Sequence, residues 1–348
     1  RQTQLFALPV DPATMEAIGP STSILPDMAM DATDGFSQFA ISDDGTFVYM
    51  DREEATPRGR LAIIRRDGTV EPLDVASQSY GIPRLSPDGR HLAVTFGEPQ
   101  RDVWIVELER GAMSRVTFDP ATEFGGVWSP DGRWLYFMRE TPAFNVHRVE
   151  AFGSKPAERV VASDLDQMVT EVLDDGSMIV VTGTVERSHD VLYLQADGTT
   201  RALRDSRYFE SEAALSPDGR WIAFSSNESG EMQVYVQAFP DASSRIPISI
   251  DGGEEPRWSP TGESLYFRDD DTLFSVAIDV EGERLRAGRP ERLWTASFDR
   301  LWYAANYDVL PDDSGIVAVV PETTEGRRRF TVITNFFAEL EARAPPAR

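Results

Sequence analysis

A short turn phrase recurs along this chain at a nearly constant interval. Its fullest form is Ser-Pro-Asp-Gly, and its glycines fall at residues 45, 89, 132, 176, 219 and 262, so the spacing is 43 or 44 residues. Proline presets φ, aspartate accepts hydrogen bonds from the amides that follow, and glycine adopts a positive φ, which together make a tight turn. Apolar runs of period two follow each turn and predict strands. A repeat of this length, built from short strands, is typical of β-propeller blades.

The repeat predicts an all-β fold, a seven-bladed β-propeller of four-stranded antiparallel blades that forms a single domain over residues 1–348. A seventh copy of the phrase, Leu310-Pro311-Asp312-Asp313-Ser314, lacks the turn glycine. The predicted blades cover residues 36–74, 83–117, 125–161, 169–203, 212–248, 255–294 and 306–335.

The N-terminus is expected to close the ring. Residues 5–11 resemble residues 273–279, which belong to the outer half of the sixth predicted blade. Residues 4–25 are therefore predicted to complete the last blade, so that no strand edge stays open. The order of the strands in this last blade is not determined, because residues 330–333 could replace one N-terminal strand or add a fifth strand. Residues 336–348 are predicted to form a short helix and a tail.

Composition limits the partners. The net charge of −24 would repel a nucleic-acid backbone or an anionic membrane surface. The chain has no cysteine, and no apolar stretch is long enough to span a membrane. We expect a monomer that binds no nucleic acid and does not insert into membranes. The first residues, Arg1-Gln2-Thr3-Gln4, include neither a start methionine nor a signal-peptide core, which indicates a piece of a longer protein.

Particular segments suggest a family. The Ser-Pro-Asp-Gly repeats resemble those of TolB-type propellers, which are related to WD-repeat proteins. Residues 225–231 and 234–240, Gly252-Gly253 with residues 256–260, and residues 332–340 are similar to the propeller region that follows the kinase domain in bacterial receptor-like serine/threonine protein kinases. This resemblance implies a sensor region on the periplasmic or extracellular side of a membrane protein, although a cytoplasmic location stays open. The chain itself contains no kinase motif.

No motif in the sequence predicts catalysis, a cofactor or a metal site. The histidines His91, His147 and His189 are not spaced as metal ligands, and no serine lies in a nucleophile elbow. The aspartates of the repeated phrase are expected to be turn residues. The run Asp269-Asp270-Asp271 lacks the spacing of a calcium loop and is expected to be a solvated acidic loop.

The blade topology predicts where a partner would bind. Because the repeated turns join first to second strands, they lie together on one face, and the opposite face collects the remaining inner loops. Exposed aromatic residues among charges are typical of recognition surfaces, although each aromatic could instead fill a gap between blades. Arg84 and Arg257 are expected at the channel mouth. The predicted partner-binding residues are Tyr80, Arg84, Phe124, Tyr208, Phe209, Glu254, Arg257, Trp302 and Tyr303.

Three functions remain in competition. The leading hypothesis is a non-catalytic sensor or scaffold propeller that binds a protein, peptide or glycan partner. The second is a propeller enzyme, a lyase or hydrolase, with its site at the channel mouth. The third is a purely structural scaffold whose channel is filled by side chains.

Overall fold

The computed structural model describes residues 5–25, 39–50, 58–97, 100–141, 143–184, 187–204, 206–241, 245–296, 304–322 and 330–343. The chain divides into two compact units, one formed by residues 58–321 and one by residues 1–57 with 322–348. Both are built from antiparallel strands, as predicted. No helix in the described ranges is long and apolar enough to cross a membrane.

The smaller unit contains a hairpin, a three-stranded sheet and a short helix. The hairpin pairs β1 (Leu5–Ala7) with β2 (Thr22–Leu25), and the sheet has the order β3 (Phe39–Ile41), β4 (Phe47–Met50), β30 (Phe330–Ile333). The helix α1 (Phe336–Arg343) agrees with the predicted C-terminal helix. Phe336 stacks on Phe47 with ring centroids 4.4 Å apart, and Ile24 and Leu25 complete this small core.

The described residues of the larger unit form six sheets, the blades of the propeller. Blade one consists of β7 (Gly81–Leu85), β8 (His91–Phe96), β9 (Asp102–Glu107) and β10 (Met113–Arg115). Blade two consists of β11 (Glu123–Trp128), β12 (Trp134–Thr141), β13 (Ala143–Glu150) and β14 (Glu158–Arg159). Blade three consists of β15 (Asp166–Val172), β16 (Met178–Thr184), β17 (Arg187–Leu194) and β18 (Thr200–Arg204).

Blade four consists of β19 (Glu210–Leu215), β20 (Trp221–Ser226), β21 (Gln233–Ala238) and β22 (Arg245–Pro247). Blade five has five strands, namely β23 (Glu254–Trp258), β24 (Ser264–Asp269), β25 (Thr272–Glu281), β26 (Arg284–Ala287) and β27 (Glu291–Thr295). Blade six has the order β28 (Tyr307–Val309), β29 (Gly315–Pro321), β5 (Gly59–Arg65), β6 (Val70–Pro72). The first strands of neighbouring blades contact one another all the way round, so the ring is closed.

Closure of the ring corrects two parts of the sequence prediction. Strands from the N-terminal side do close the last blade, but they are β5 and β6 within residues 59–72, and not residues 4–25. Consequently the predicted first blade, 36–74, is divided: residues 39–50 pair with residues 330–333 in the smaller unit. Within the described residues the larger unit has six blades, so the expected number of seven is not confirmed. The closing pair is extensive, because β5 pairs with β29 over seven residue pairs, from Gly59 to Arg65.

The repeated phrase forms the turn that the sequence predicted. In blade four, Ser216 Oγ donates to Asp218 Oδ1 at 2.6 Å, and the Arg220 amide donates to the same oxygen at 3.1 Å. Gly219 has φ of 69°, which favours glycine. In the degenerate seventh copy Asp313 takes this position with φ of 55°, so the turn forms without glycine.

Each blade also binds its neighbour. The indole of Trp128 donates to the Arg84 carbonyl of the preceding blade at 3.0 Å, and Trp258 donates to the Ala214 carbonyl at 3.1 Å. Both tryptophans directly precede a repeated turn. The repeat therefore fixes both the strand ends inside a blade and the register between blades.

Candidate functional site

The first strands carry bulges that place charged side chains at the centre of the ring. Ile82, Gly125, Glu212 and Glu255 occupy matching positions with φ between 48° and 82°, and the strand register shifts beside each of them. A positive φ is rare for residues other than glycine and occurs at bulges that redirect side chains. The bulges therefore bring polar groups from different blades together.

Arg84 joins blades six and one. Its Nη1 donates to the carbonyls of Ala305 and Tyr307 at 2.8 and 3.2 Å. Close by, the amide of Ile82 donates to Asn306 Oδ1 at 3.0 Å. Burial, followed by the neighbouring charge of Arg257, lowers the pKa of Arg84. These contacts hold the point where the ring closes.

Arg257 lies between two carboxylates. Its Nη2 is 2.8 Å from Asp308 Oδ1, and its Nη1 is 3.3 Å from Glu171 Oε1. Burial disfavours the charged guanidinium, but the two carboxylates outweigh burial and raise the pKa of Arg257. For Glu171 burial dominates and raises the pKa, although Arg257 and Arg84 oppose it. The Glu171 side chain is 26% exposed, so this part of the network reaches solvent.

Glu212 and Glu255 form a second, more deeply buried group. Glu212 Oε2 accepts hydrogen bonds from Ser225 Oγ at 2.7 Å and from the Glu255 amide at 2.6 Å. Glu255 Oε2 lies 3.2 Å from Arg268 Nη1, and both of these side chains are only 2% exposed. Burial, and then the charges of Glu255 and Glu254, raises the pKa of Glu212 well above its usual value. Glu212 therefore favours the protonated form.

This shift predicts a pH-dependent stability that Glu212→Gln removes. Because the folded state holds the proton more tightly than the unfolded state, the stabilisation is present at low pH and is lost as the pH rises above about 4.5 toward the raised value. Urea unfolding at about pH 5 and about pH 8 should show a steeper loss of stability in the wild type than in Glu212→Gln. The exposed Glu231→Gln serves as the control. An equal loss of unfolding free energy between the two pH values in the wild type and in Glu212→Gln would contradict the raised pKa of Glu212.

The space beside this network is small. Ile82, Arg84, Phe124, Met138 and Met168 line a cavity that leaves about 10 Å³ for a water-sized particle. That is room for about one water molecule. This cavity therefore has no room for a ligand larger than a water molecule.

A larger groove lies in blade five, away from the centre. It measures about 200 Å³ and is lined by Ile250, Asp251, Phe267, Asp269, Phe274 and Arg289, together with Gly252 and Pro290. Phe267 and Phe274 stack with centroids 5.2 Å apart and planes inclined by 8°. Ile250 is 67% exposed. The groove combines an aromatic base, an exposed aliphatic side chain and charged walls.

The loop that forms one wall depends on two glycines. Gly252 has φ of 136°, and a Cβ there would lie 2.7 Å from Asp269 Oδ1. A Cβ on Gly253 would lie 2.9 Å from the Phe267 ring. The glycine pair therefore lets the loop between blades four and five lie directly against the β24–β25 hairpin. This wall lies on the face opposite the repeated turns. We call that face the loop face, and we call the face that carries the repeated turns the turn face.

Two of the predicted binding aromatics pack between blades. Tyr80 is 3% exposed, and its hydroxyl donates to the Ala76 carbonyl at 2.6 Å. Phe124 is half-buried, meets Phe144 of its own blade edge to face at 5.5 Å, and lies with its ring centroid 5.4 Å from the guanidinium of Arg101 in blade one. Tyr80 in particular presents little surface to a partner, and the gap-filling interpretation describes it best.

Other predicted residues stay nearer the surface of the loop face. Tyr208 is half-buried, and its hydroxyl accepts from Arg207 Nη2 at 3.0 Å. Phe209 lies 4.6 Å from the ring of His189, and Glu254 is half-buried at the start of β23. A binding role for these three residues stays a prediction.

The structure brings Arg84 and Arg257 into the central network, whereas Trp302 and Tyr303 lie outside the described residues. Sequence reasoning missed Asp308, although a repeat signal marks it. Arg84, Arg257 and Asp308 each stand two residues before the first residue of the turn phrase, which is Ser86, Ser259 or Leu310. The groove residues Phe267 and Phe274 had no comparable signal, because both fit ordinary strand positions.

The larger unit's architecture is that of known propellers. The solved structure of a TolB from Agrobacterium tumefaciens matches with a TM-score of 0.62 and 20% identity, over 76% of this chain and 98% of that one. Hydrazine synthase of Kuenenia stuttgartiensis matches with a TM-score of 0.54 and 17% identity, over 88% and 97%. An oligogalacturonate lyase in complex with manganese matches with a TM-score of 0.50 and 12% identity, over 85% and 97%. The chain has a TolB-like β-propeller fold.

Sequence comparison is less informative. No family model matches the chain. An uncharacterised protein of Agrobacterium fabrum is 26% identical over 206 residues, which cover 54% of this chain and 65% of that relative. This chain thus spans less than two thirds of the relative's length. The resemblance to kinase-attached propellers is not shown by these relatives and stays a prediction.

Proposed function

We propose that this chain is a non-catalytic propeller that binds a protein or peptide partner on its loop face. The observation that supports this most is the groove of blade five, which exposed Ile250 lines together with the stacked pair Phe267 and Phe274. Apolar side chains exposed beside polar groups are typical of interaction sites.

The central network favours a structural role for the charged residues. Arg84 donates to backbone carbonyls, and Glu255 accepts from Arg268 and from the Asn306 amide at 3.2 Å. Groups held in this way stabilise the closure of the ring. At Arg84 the adjoining space holds about one water molecule, which is too little for a substrate, whereas Glu171, at 26% exposed, is in contact with solvent.

We extend the proposal to the parent protein. The resemblance of residues 225–231 and of Gly252-Gly253 to kinase-attached propellers supports a sensor region on the periplasmic or extracellular side of a bacterial receptor. Gly252 and Gly253 shape the groove wall, so the same residues carry both the resemblance and the proposed site.

A second candidate is a propeller lyase with its site at the channel mouth. It is favoured by the raised pKa of Glu171 and Glu212, since perturbed carboxyl groups cluster at active sites. The likeness to oligogalacturonate lyase concerns the fold, which does not determine activity. Incubation with oligogalacturonate separates the candidates: a lyase forms unsaturated products that absorb ultraviolet light, and we expect none.

The partner-binding proposal can be tested by attaching a bulky polymer, called a shield below, to one face of the propeller or the other. Because the chain contains no cysteine, Glu231→Cys on the loop face and Asp174→Cys on the turn face can each be coupled to a large polyethylene glycol. Both positions are exposed. A phage library of short random peptides is selected on the wild-type chain, and binding of the selected pool is then measured. We expect the shield at Glu231→Cys to block binding of the peptide pool and the shield at Asp174→Cys to leave that binding unchanged. Blocking by the turn-face shield alone, or by neither, would overturn the proposal.

A further inference from the structure

We infer that the blade-five groove binds a basic peptide segment, with one apolar or aromatic side chain inserted between Ile250 and the Phe267–Phe274 pair. This inference rests on the proposed function and adds the chemistry of the partner. It follows from the size of the groove, the charges around it and the way its walls are held.

The size of the groove selects a single side chain. Small-molecule pockets usually enclose about 300–1,000 Å³, whereas this groove measures about 200 Å³. Its lining includes half-buried Phe274, which stacks on buried Phe267. Such a surface suits one large apolar side chain that projects from an extended peptide.

The charges at the rim of the groove favour a basic peptide residue next to the inserted apolar side chain. Asp251, Asp270 and Asp271 are exposed on the two loops that form the groove, and Asp269 lines it. Arg268 of β24 pairs with buried Glu255 and also donates to the Asp270 carbonyl at 3.1 Å. A lysine or arginine beside the inserted side chain would meet the exposed carboxylates of Asp251 and Asp271, and the net charge of −24 would favour its approach.

Arg289 gives the groove a direction. It is exposed on the wall that leads into β27, while the aspartates lie on the loop-face wall. A peptide with its basic residue toward Asp251 would leave its carbonyl groups or a carboxylate toward Arg289. An acidic peptide, by contrast, would meet one cation and the carboxylates of Asp251 and Asp271.

The test uses the whole chain and defined peptides. A fluorescent peptide from the selected pool is compared with a version whose lysines and arginines are changed to glutamate and with one whose apolar anchor is changed to serine. Binding is measured to the wild type, Ile250→Asp, Asp251→Lys and the control Phe152→Ser. Phe152 is 68% exposed against 67% for Ile250, and it follows β13 on the turn face. Both exposed substitutions should leave the fold unchanged.

We expect Ile250→Asp to weaken binding of the basic peptide by about tenfold or more. Asp251→Lys should also weaken it and reduce its sensitivity to salt. The glutamate and serine peptides should bind poorly to the wild type, and Phe152→Ser should bind like the wild type. Enrichment of acidic peptides, or unchanged binding to Ile250→Asp, would overturn the inference. If the inference fails but the loop-face shield still blocks peptide binding, the proposed function stands. If neither shield blocks peptide binding, both the inference and the proposed function are wrong.

Discussion

Replacing Arg268 by methionine is expected to lower the free energy of unfolding by about 3–5 kcal/mol. The substitution keeps the length and apolar stem of the side chain but leaves the Glu255 carboxylate buried without its cation, and both groups are only 2% exposed. A buried charge without a partner is costly because it has lost its water. Urea unfolding followed by tryptophan fluorescence measures the loss.

Two further variants keep this prediction specific. Arg268→Met with Glu255→Gln should recover part of the loss, because the pair is then removed together. Arg286→Met breaks an exposed pair with Glu281, whose two side chains are 65% and 63% exposed, and should cost little. Equal losses from Arg268→Met and Arg286→Met would show that the central ion pair does not hold the ring.

Leu61→Ala should cost about 2–5 kcal/mol and loosen the closing blade. Leu61 lies in β5 opposite Val319, is fully buried, and packs against Leu92 and Val94 of blade one. Its truncation leaves a cavity at the seam where the ring closes. Amide exchange of β29, measured by mass spectrometry, should become faster.

The matched change is Leu25→Ala, at a residue that is 8% exposed in the core of the smaller unit. Closure by residues 4–25 would predict that this variant, and not Leu61→Ala, speeds the exchange of β29. The pairing of β29 with β5 predicts the reverse. Faster exchange of β29 in Leu25→Ala alone would contradict the observed closure.

The sequence was sufficient for blades one to four, because each is made of consecutive strands whose ends a local phrase determines, and in blade five it missed only the fifth strand. Ser216, Asp218 and Gly219 show how that phrase acts through neighbouring atoms. Closure is different, since residues 59–65 pair with residues 315–321 from the far end of the chain. No local pattern distinguishes that pairing from the one predicted for residues 4–25.

The candidate site was predictable only in part for a similar reason. Arg84 and Arg257 could be placed at the channel mouth because the repeat aligns them, and Asp308 has the same position. Glu171 and Glu212 reach the centre through bulges, which shift the register without leaving a pattern in the sequence. The groove depends on the approach of Gly252 to Asp269 across a loop and a hairpin, which spacing alone does not reveal.

The most direct test of binding at the loop face is amide hydrogen exchange of the whole chain, measured with and without the selected basic peptide. Binding in the groove predicts slower exchange of residues 249–253 and 269–274, which form its walls and base. The repeated turns at residues 86–90 and 129–133 should be unaffected. Protection confined to those turns, or to the first strands around the channel, would contradict the account and move the binding site away from the loop face.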